Sequence, residues 1–180
     1  MRIFVAIDMP ENVQDALEAL QDQIPVGRLM TPETLHLTLA FLDEQPDAVV
    51  EAIHEALQTL HLPKFDLDLH GLGTFGPKSP AVLWAGVRPN PALNQLRDKI
   101  RTAARLAGLD LPRERFRPHV TLARFNPRIP AEQLERLRIF LSRFGDAALP
   151  TFTVAQITLF QSLRTSRGAV HEALAEYPLS

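Results

Sequence analysis

Apolar residues recur along the first half of the chain at two spacings, one typical of helices and one of strands. After Pro10 they recur every three or four positions, as on one face of a helix. Leu35, Leu37, Leu39 and Phe41 alternate with other residues, which predicts that they share one face of a strand. The predicted order is a strand at 2–8, a helix from Pro10, a strand at 35–42, a helix at about 47–61, and strands near 65–72 and 81–88.

The second half repeats this order. The predicted elements are a helix from Leu93 that ends near Gly108, a strand at 118–125, a helix from about Leu134 to Phe144, and strands near 151–163 and 169–178. Each half therefore reads helix, strand, helix, strand, strand, which indicates an α+β fold and an internal duplication with halves at about 1–89 and 90–180.

Two similar heptapeptides lie on the matching strands of the two halves. They read His36-Leu-Thr-Leu-Ala-Phe-Leu and His119-Val-Thr-Leu-Ala-Arg-Phe. Residues two apart on a strand point to the same side, so each His projects together with its Thr, Thr38 or Thr121. One such pair is usually a solvated strand face, but two at matching places favour a function. If a pseudo-two-fold axis relates the halves, the two pairs face each other across a cleft.

The paired motifs fit acid–base chemistry at a phosphate. One imidazole can remove a proton from an attacking water while the other gives a proton to a leaving oxygen. Threonine hydroxyls can donate hydrogen bonds to the phosphate oxygens. A metal site is the main alternative, but neither motif carries a second His or a carboxylate within two residues, so we expect no metal and no cofactor. His54, His61 and His70 are interpreted as surface or core residues.

Composition narrows the class of protein. The 180 residues contain no cysteine, which excludes disulfides and a Cys nucleophile. A net charge of −2 argues against nonspecific coating of nucleic acid, although it permits a local anion site. The first residues reach Asp8 and Pro10 too soon for a signal peptide, and no apolar run is long enough for a membrane span. We therefore expect a cytoplasmic protein without membrane contact, and a monomer by default.

Arginine and phenylalanine residues near the motifs are candidates for further substrate contacts. Arg117 shares the face of His119 if its strand starts early enough, whereas Arg124 has the opposite parity and reaches the site only if the strand bends or ends. Both are candidate phosphate ligands. Phe41 and Phe125 are candidates to stack a base, with packing in the core as the favoured alternative.

The chain resembles the 2H phosphoesterase superfamily, and within it the bacterial and archaeal RNA 2′,3′-cyclic phosphodiesterases, also called 2′-5′ RNA ligase-like proteins. Beyond the two motifs, the resemblance rests on the opening MRIFVAID, Pro32-Glu33, Arg117-Pro118, Ala123-Arg124 and the closing Tyr177-Pro178-Leu179. The chain departs from the family pattern at Arg28-Leu29-Met30, where relatives often have an aromatic residue, and at Gly168-Ala-Val-His171, where many have Tyr.

The resemblance implies a bilobal fold with antiparallel sheets on both sides of a central cleft. It implies metal-independent opening of a 2′,3′-cyclic phosphate at RNA ends, tRNA fragments among them, to a 2′-phosphomonoester. His36 would be the proton donor to the 3′ oxygen, His119 would activate water, and Thr38 and Thr121 would hold phosphate oxygens. Some relatives also catalyse the reverse reaction, a 2′-5′ ligation.

Three alternatives remain at the level of sequence. The enzyme could open another cyclic phosphate, such as that of ADP-ribose, or cleave a 2′-5′ oligonucleotide. The chain could also be an RNA-end-binding module without turnover. The pseudo-symmetry leaves open which His is the acid and which the base.

Overall fold

The computed structural model describes all 180 residues, as ten strands and four α-helices. The helices are α1 (Glu11–Gln21), α2 (Asp47–Gln58), α3 (Pro91–Leu106) and α4 (Ala131–Phe144), and a short 3₁₀-helix spans Pro32–Thr34. The strands are β1 (Arg2–Asp8), β2 (Arg28–Leu29), β3 (His36–Glu44), β4 (Phe65–Leu67), β5 (Leu69–Phe75), β6 (Val82–Val87), β7 (His119–Arg124), β8 (Phe152–Val154), β9 (Gln156–Thr165) and β10 (Gly168–Pro178).

Proline and asparagine set the starts of the helices. α1, α2 and α4 each begin directly after a proline with extended backbone. α3 follows Asn90, whose side-chain oxygen accepts a hydrogen bond from the Leu93 amide at 3.0 Å. The apolar face of α3, which includes Leu96 and Ile100, is buried in the core. None of the helices is long and apolar enough to cross a membrane.

The main sheet is antiparallel and divides into two arms. Its strand order is β10-β9-β1-β3-β7-β6-β5, with β2 also paired to β7. Only one residue pair, Leu37 with Val120, joins β3 to β7. We call β10, β9, β1 and β3 the first arm, and β7, β6, β5 and β2 the second arm. β4 and β8 form a separate two-stranded sheet. The predicted bilobal α+β fold with antiparallel sheets is confirmed.

The order of elements occurs twice, and the two units exchange their last strands. The first unit runs β1-α1-β3-α2-β4-β5, and the second repeats it as β6-α3-β7-α4-β8-β9. β9 pairs with β1, and β5 pairs with β6, so each unit completes the arm of the other. The lobes therefore do not coincide with residues 1–89 and 90–180. β1 is an inner strand, and its backbone groups need a hydrogen-bonded neighbour on each edge. β3 supplies one of these neighbours, and β9, from the second half of the chain, supplies the other.

The two faces of the sheet have different environments. Ile3, Val5 and Ile7 of β1 point into the main hydrophobic core, which lies between the sheet and the helices. Phe4 and Ala6, on the other face, pack with Phe160 in a small separate cluster. This second face carries the predicted functional residues.

Candidate active site

The single pair that joins the arms also determines how the two motifs meet. Leu37 and Val120 are fully buried and lie directly opposite each other in antiparallel strands. One step along each strand, His36 then comes next to Thr121, and Thr38 next to His119. These four side chains point away from the core because neighbouring residues on a strand alternate in direction. Each His therefore has the Thr of the other motif as its neighbour across the strands.

All four residues line one cleft of about 400 Å³ between the arms. Its wall also contains Phe4, Phe41, Arg124 and His171, which come from four different strands. The structure thus brings together side chains from both ends of the chain. No group of three or more His, Cys, Asp or Glu side chains is arranged to hold a metal ion.

His119 is held in one orientation by its own backbone. Its Nδ1 atom lies 2.7 Å from the carbonyl oxygen of Arg117. A carbonyl can only accept a hydrogen bond, so Nδ1 carries the hydrogen and Nε2 of the neutral ring keeps a free lone pair. The ring of Phe75 meets the imidazole edge to face, at 4.9 Å between centroids. His119 is therefore oriented as a proton acceptor.

His36 lies in a more enclosed place. It is 7% exposed, and its ring stacks on Phe160 at 4.9 Å and lies 5.5 Å from that of Phe4. Its Nε2 atom is 2.8 Å from Nδ1 of His171, and its Nδ1 atom is 3.8 Å from a carboxylate oxygen of Asp8. Burial, and secondly the charge of His171, lower the pKa of His36 to about 4. The two candidate histidines therefore differ in environment despite the repeat.

The partners of His36 are also perturbed by burial. Burial lowers the pKa of His171. Burial raises the pKa of Asp8, a hydrogen bond from Thr158 at 3.2 Å opposes this shift, and Glu176 adds to it. This corner of the cleft favours the neutral forms of its titratable groups.

A β-bulge brings Phe41 into the cleft. Successive residues of β1 pair with Thr38 and Ala40, so Leu39 is an extra residue in β3. The bulge reverses the alternation, and Phe41 points into the cleft with 62% of its surface exposed. The prediction that Phe41 shares the buried face of Leu37 was wrong for this reason.

β7 contains the same bulge at the same place in its motif. Successive residues of β6 pair with Thr121 and Ala123, which leaves Leu122 as the extra residue. Arg124 consequently lies on the cleft side, exposed and close to the motif, despite its parity in the sequence. It occupies in the second motif the place that Phe41 occupies in the first.

Arg117 and Phe125 do not line the cleft itself. β7 begins only at His119, and the exposed Arg117 side chain lines an adjoining groove that shares Thr38, Phe41 and His119 with the cleft, while its carbonyl holds His119. Phe125 is 9% exposed and packs in a second hydrophobic cluster with Val26 and Phe140. The bulge turns this position inward, so Phe125 is not available to stack a base.

The segment before β7 is held by two buried arginines of α3. Arg101 donates hydrogen bonds to the Pro112 carbonyl and to Glu114, and Arg97 donates to the Glu114 carbonyl at 3.4 Å. Glu114 thus pairs with α3 and not with Arg113 and Arg115, its neighbours in the sequence. These contacts position the segment that supplies the Arg117 carbonyl.

Sequence reasoning missed His171 and Asp8. His171 lies 135 residues from His36 in the chain, and no local pattern connects them. The one available signal was its place after Gly168, where the resembled family often has Tyr. Asp8 could have been found as the polar end of an otherwise apolar strand.

The two-armed α+β fold, with one His-x-Thr pair from each arm, defines the 2H class of phosphoesterases. A family model described as the 2′-5′ RNA ligase superfamily matches residues 9–166, so the chain belongs to this superfamily.

Individual relatives agree with this assignment. The chain is 34% identical over 146 residues to the RNA 2′,3′-cyclic phosphodiesterase of Aeropyrum pernix, covering 80% of this chain and 81% of the relative. The crystal structure of E. coli LigT in apo form superposes with a TM-score of 0.78 at 27% identity, over 99% of this chain and 97% of that one. E. coli LigT complexed with 3′-AMP gives a TM-score of 0.76 at 25% identity, over the same shares of the two chains.

Proposed function

We propose that the protein hydrolyses the terminal 2′,3′-cyclic phosphate of RNA to a 2′-phosphomonoester, with His36 and His119 as an acid–base pair and without a metal ion. The observation that carries this proposal is the meeting of the two motifs at the Leu37–Val120 pair, with one His on each arm. The name of the Aeropyrum pernix relative, an RNA 2′,3′-cyclic phosphodiesterase, supports the substrate class.

His119 is the base in this scheme. Because its Nδ1 donates to the Arg117 carbonyl, its Nε2 can accept a proton from water. The water oxygen attacks phosphorus and its proton moves to His119. The bond from phosphorus to the 3′ oxygen breaks on the opposite side, which is the side of the first arm.

His36 is the acid that protonates the 3′ oxygen as it leaves. In the free protein its pKa of about 4 keeps the ring neutral at pH 7. A cyclic phosphodiester carries one negative charge, and such a charge next to a buried imidazole favours the protonated form. Substrate binding therefore promotes the form of His36 that the reaction needs.

The remaining contacts hold the nucleotide. Thr38 and Thr121 donate hydrogen bonds to the non-bridging oxygens, where negative charge increases in the transition state. Arg124 adds a charged contact at the edge of the phosphate site. Phe41, with its exposed ring beside Phe4 at 6.1 Å, offers a surface on which the base can stack.

Ligation uses the same groups with another nucleophile. When the 5′ hydroxyl of a second RNA attacks phosphorus in place of water, His119 takes its proton, the bond to the 3′ oxygen breaks and His36 protonates that oxygen, which leaves a 2′-5′ bond. In the reverse direction the 3′ hydroxyl attacks phosphorus and the 5′ oxygen leaves. A 2′-5′ ligation activity is therefore part of the proposal, with RNA ends, including tRNA fragments, as partners of a monomeric protein.

The test is hydrolysis of a short RNA that ends in a 2′,3′-cyclic phosphate, with EDTA present, followed by mass and linkage analysis. Gain of one water with a 2′-phosphate supports the scheme, and a 3′-phosphate reverses the roles of the two arms. Activity that EDTA abolishes and a divalent ion restores would indicate a metal enzyme.

Variants connect this activity to the site. We expect His36→Ala and His119→Ala each to lower kcat by at least 100-fold, the usual range for loss of a general acid or base. His61→Ala, an exposed His outside the cleft, is the matched control and should retain full activity. Failure of the wild type on RNA, together with turnover of ADP-ribose cyclic phosphate or a 2′-5′ oligonucleotide, would favour those substrates. Tight binding without turnover would favour a binding module.

A further inference from the structure

His171 is hydrogen-bonded to the ring nitrogen of His36 that must give a proton in the proposed reaction. The Nδ1 atom of His36 faces Asp8, so Nε2 is the remaining nitrogen, and it is hydrogen-bonded to Nδ1 of His171 at 2.8 Å. Both rings line the same cleft. The leaving oxygen of a substrate must therefore take the place of His171 before His36 can give it a proton.

The His36 ring itself has little contact with water. Its ring is 7% exposed and is covered by Phe160 and Phe4. His171 lies only partly buried, on β10 at the edge of the first arm, and its ring meets Phe4 at 4.9 Å. A proton that reaches His36 from solvent therefore has a direct route through the second imidazole.

The groups around the pair leave His171 as the suitable donor. β1 presents Asp8, whose carboxylate is 3.8 Å from the other nitrogen of His36, and β10 presents Glu176 near Asp8. β9 presents Thr158 and Phe160, which do not exchange protons near neutral pH, and β7 presents His119 on the opposite side of the phosphate site. Imidazole can accept a proton on one nitrogen while it gives one from the other.

We propose that His171 caps the reactive nitrogen of His36 between turnovers and supplies the proton that His36 gives to the leaving oxygen. This inference rests on the proposed function. As the phosphate enters the cleft, Nε2 of His171 takes a proton from solvent, the proton on its Nδ1 passes to Nε2 of His36, and His171 then moves aside for the leaving oxygen. His36 donates this proton to the 3′ oxygen, and the balance is one proton from solvent to product in each turnover.

Two substitutions separate proton transfer from simple contact. His171→Gln keeps a hydrogen-bonding side chain beside His36 but cannot titrate, and His171→Ala removes both properties. We expect both variants to lower kcat at pH 8 by at least tenfold with KM changed less than threefold, and to lose less at pH 6, where free protons are more abundant. Added imidazole should restore kcat of the Ala variant at least threefold and leave the Gln variant unchanged, because Gln fills the space.

A Gln variant with wild-type kcat at pH 8 would overturn the proposal, since it would reduce His171 to a contact. An Ala variant with unchanged kcat would do the same. Unfolding temperatures of both variants identify any loss of fold, and His61→Ala is again the control. ¹⁵N NMR of the His36 ring gives a readout that needs no turnover: its Nε2 resonance should shift on removal of His171, and an unchanged resonance contradicts the cap even if the wild type proves inactive on RNA.

Discussion

His36 and His119 occupy equivalent places in the repeat but have different neighbours. Both rings contact aromatic side chains, but His119 is anchored by a carbonyl oxygen, whereas His36 lies against a second imidazole. That imidazole comes from the last strand, β10, which has no counterpart in the second arm. Individual contacts, and not the motif, therefore separate the proposed acid from the proposed base.

The low pKa of His36 has a consequence for stability. A His whose pKa is lower in the folded than in the unfolded protein contributes stability that is present above pH 6.5 and is lost as the pH falls to about 4. The shift corresponds to an upper bound of about 3 kcal/mol. Burial lowers the pKa of His171 too, so it adds to the loss in the same direction, whereas the raised pKa of Asp8 acts in the opposite sense.

We therefore expect the free energy of unfolding in urea to fall between pH 6.5 and pH 4.5, and to fall less steeply in His36→Gln. His61→Ala should keep the slope of the wild type. Equal slopes in wild type and His36→Gln would show that His36 titrates alike in the folded and unfolded protein.

A second prediction at this scale separates the two candidate arginines. Arg117→Ala keeps the carbonyl that orients His119, so we expect kcat/KM to fall less than threefold. Arg124→Ala removes a cleft cation and should lower kcat/KM by at least tenfold. Steady-state kinetics on cyclic-phosphate RNA measure both, and a larger loss for Arg117→Ala would contradict the geometry.

At the scale of the element, the bulge after each Thr directs one further side chain of the strand into the cleft. It places Phe41 and Arg124 in the cleft, and turns the next residues, Leu42 and Phe125, into the core. Alternation in the sequence predicted the direction of His and Thr but failed beyond them, because one extra residue reverses every later direction. The residue types at Leu39 and Ala40 do not predict a bulge.

The two phenylalanines therefore serve as a matched pair. Phe41→Ala removes an exposed ring, so we expect KM for RNA to rise at least threefold while the free energy of unfolding changes by less than about 1 kcal/mol. Phe125→Ala leaves a cavity in the core and should cost about 3 kcal/mol or more. Urea unfolding and kinetics check both, and a stability loss for Phe41→Ala as large as for Phe125→Ala would place both rings in the core.

At the scale of the whole molecule, the sequence predicted the elements and their repeated order but not which strands pair. Apolar spacing tells which face of a strand is buried, and it says nothing about the neighbour on either edge. The pairing of β9 with β1, and the His36–His171 contact that depends on it, therefore had no local signal. The paired motifs were visible because their chemistry lies within three residues of each other on a strand.

The charge of the cleft leads to a prediction about substrate length. Arg2, Arg124 and Arg164 line it together with one acid, Asp43, and none of the three arginines forms a salt bridge. Arg2 and Arg164 lie beyond Phe4, away from His36 along the strands, and offer two cations to a further phosphate of an RNA strand. We expect a dinucleotide with a terminal cyclic phosphate to have at least a tenfold higher kcat/KM than a mononucleotide, with a preference that weakens as salt rises.

Arg2→Gln combined with Arg164→Gln should remove most of this preference and leave mononucleotide turnover within about threefold of wild type. Arg167→Gln, an exposed Arg in the β9–β10 turn, is the control for charge alone. A double variant that keeps the wild-type preference would contradict a role for these arginines.

The exchange of strands between the units also bears on how the protein is made. β1, with five consecutive buried residues, leaves the ribosome before most of the other strands, whereas its partner β9 follows more than 140 residues later. Until then one edge of β1 stays open, and an open apolar edge can capture other chains. We therefore expect a premature stop codon before β9 to produce an aggregation-prone fragment and not a smaller working enzyme, because neither unit can be removed without exposing a strand edge of the other.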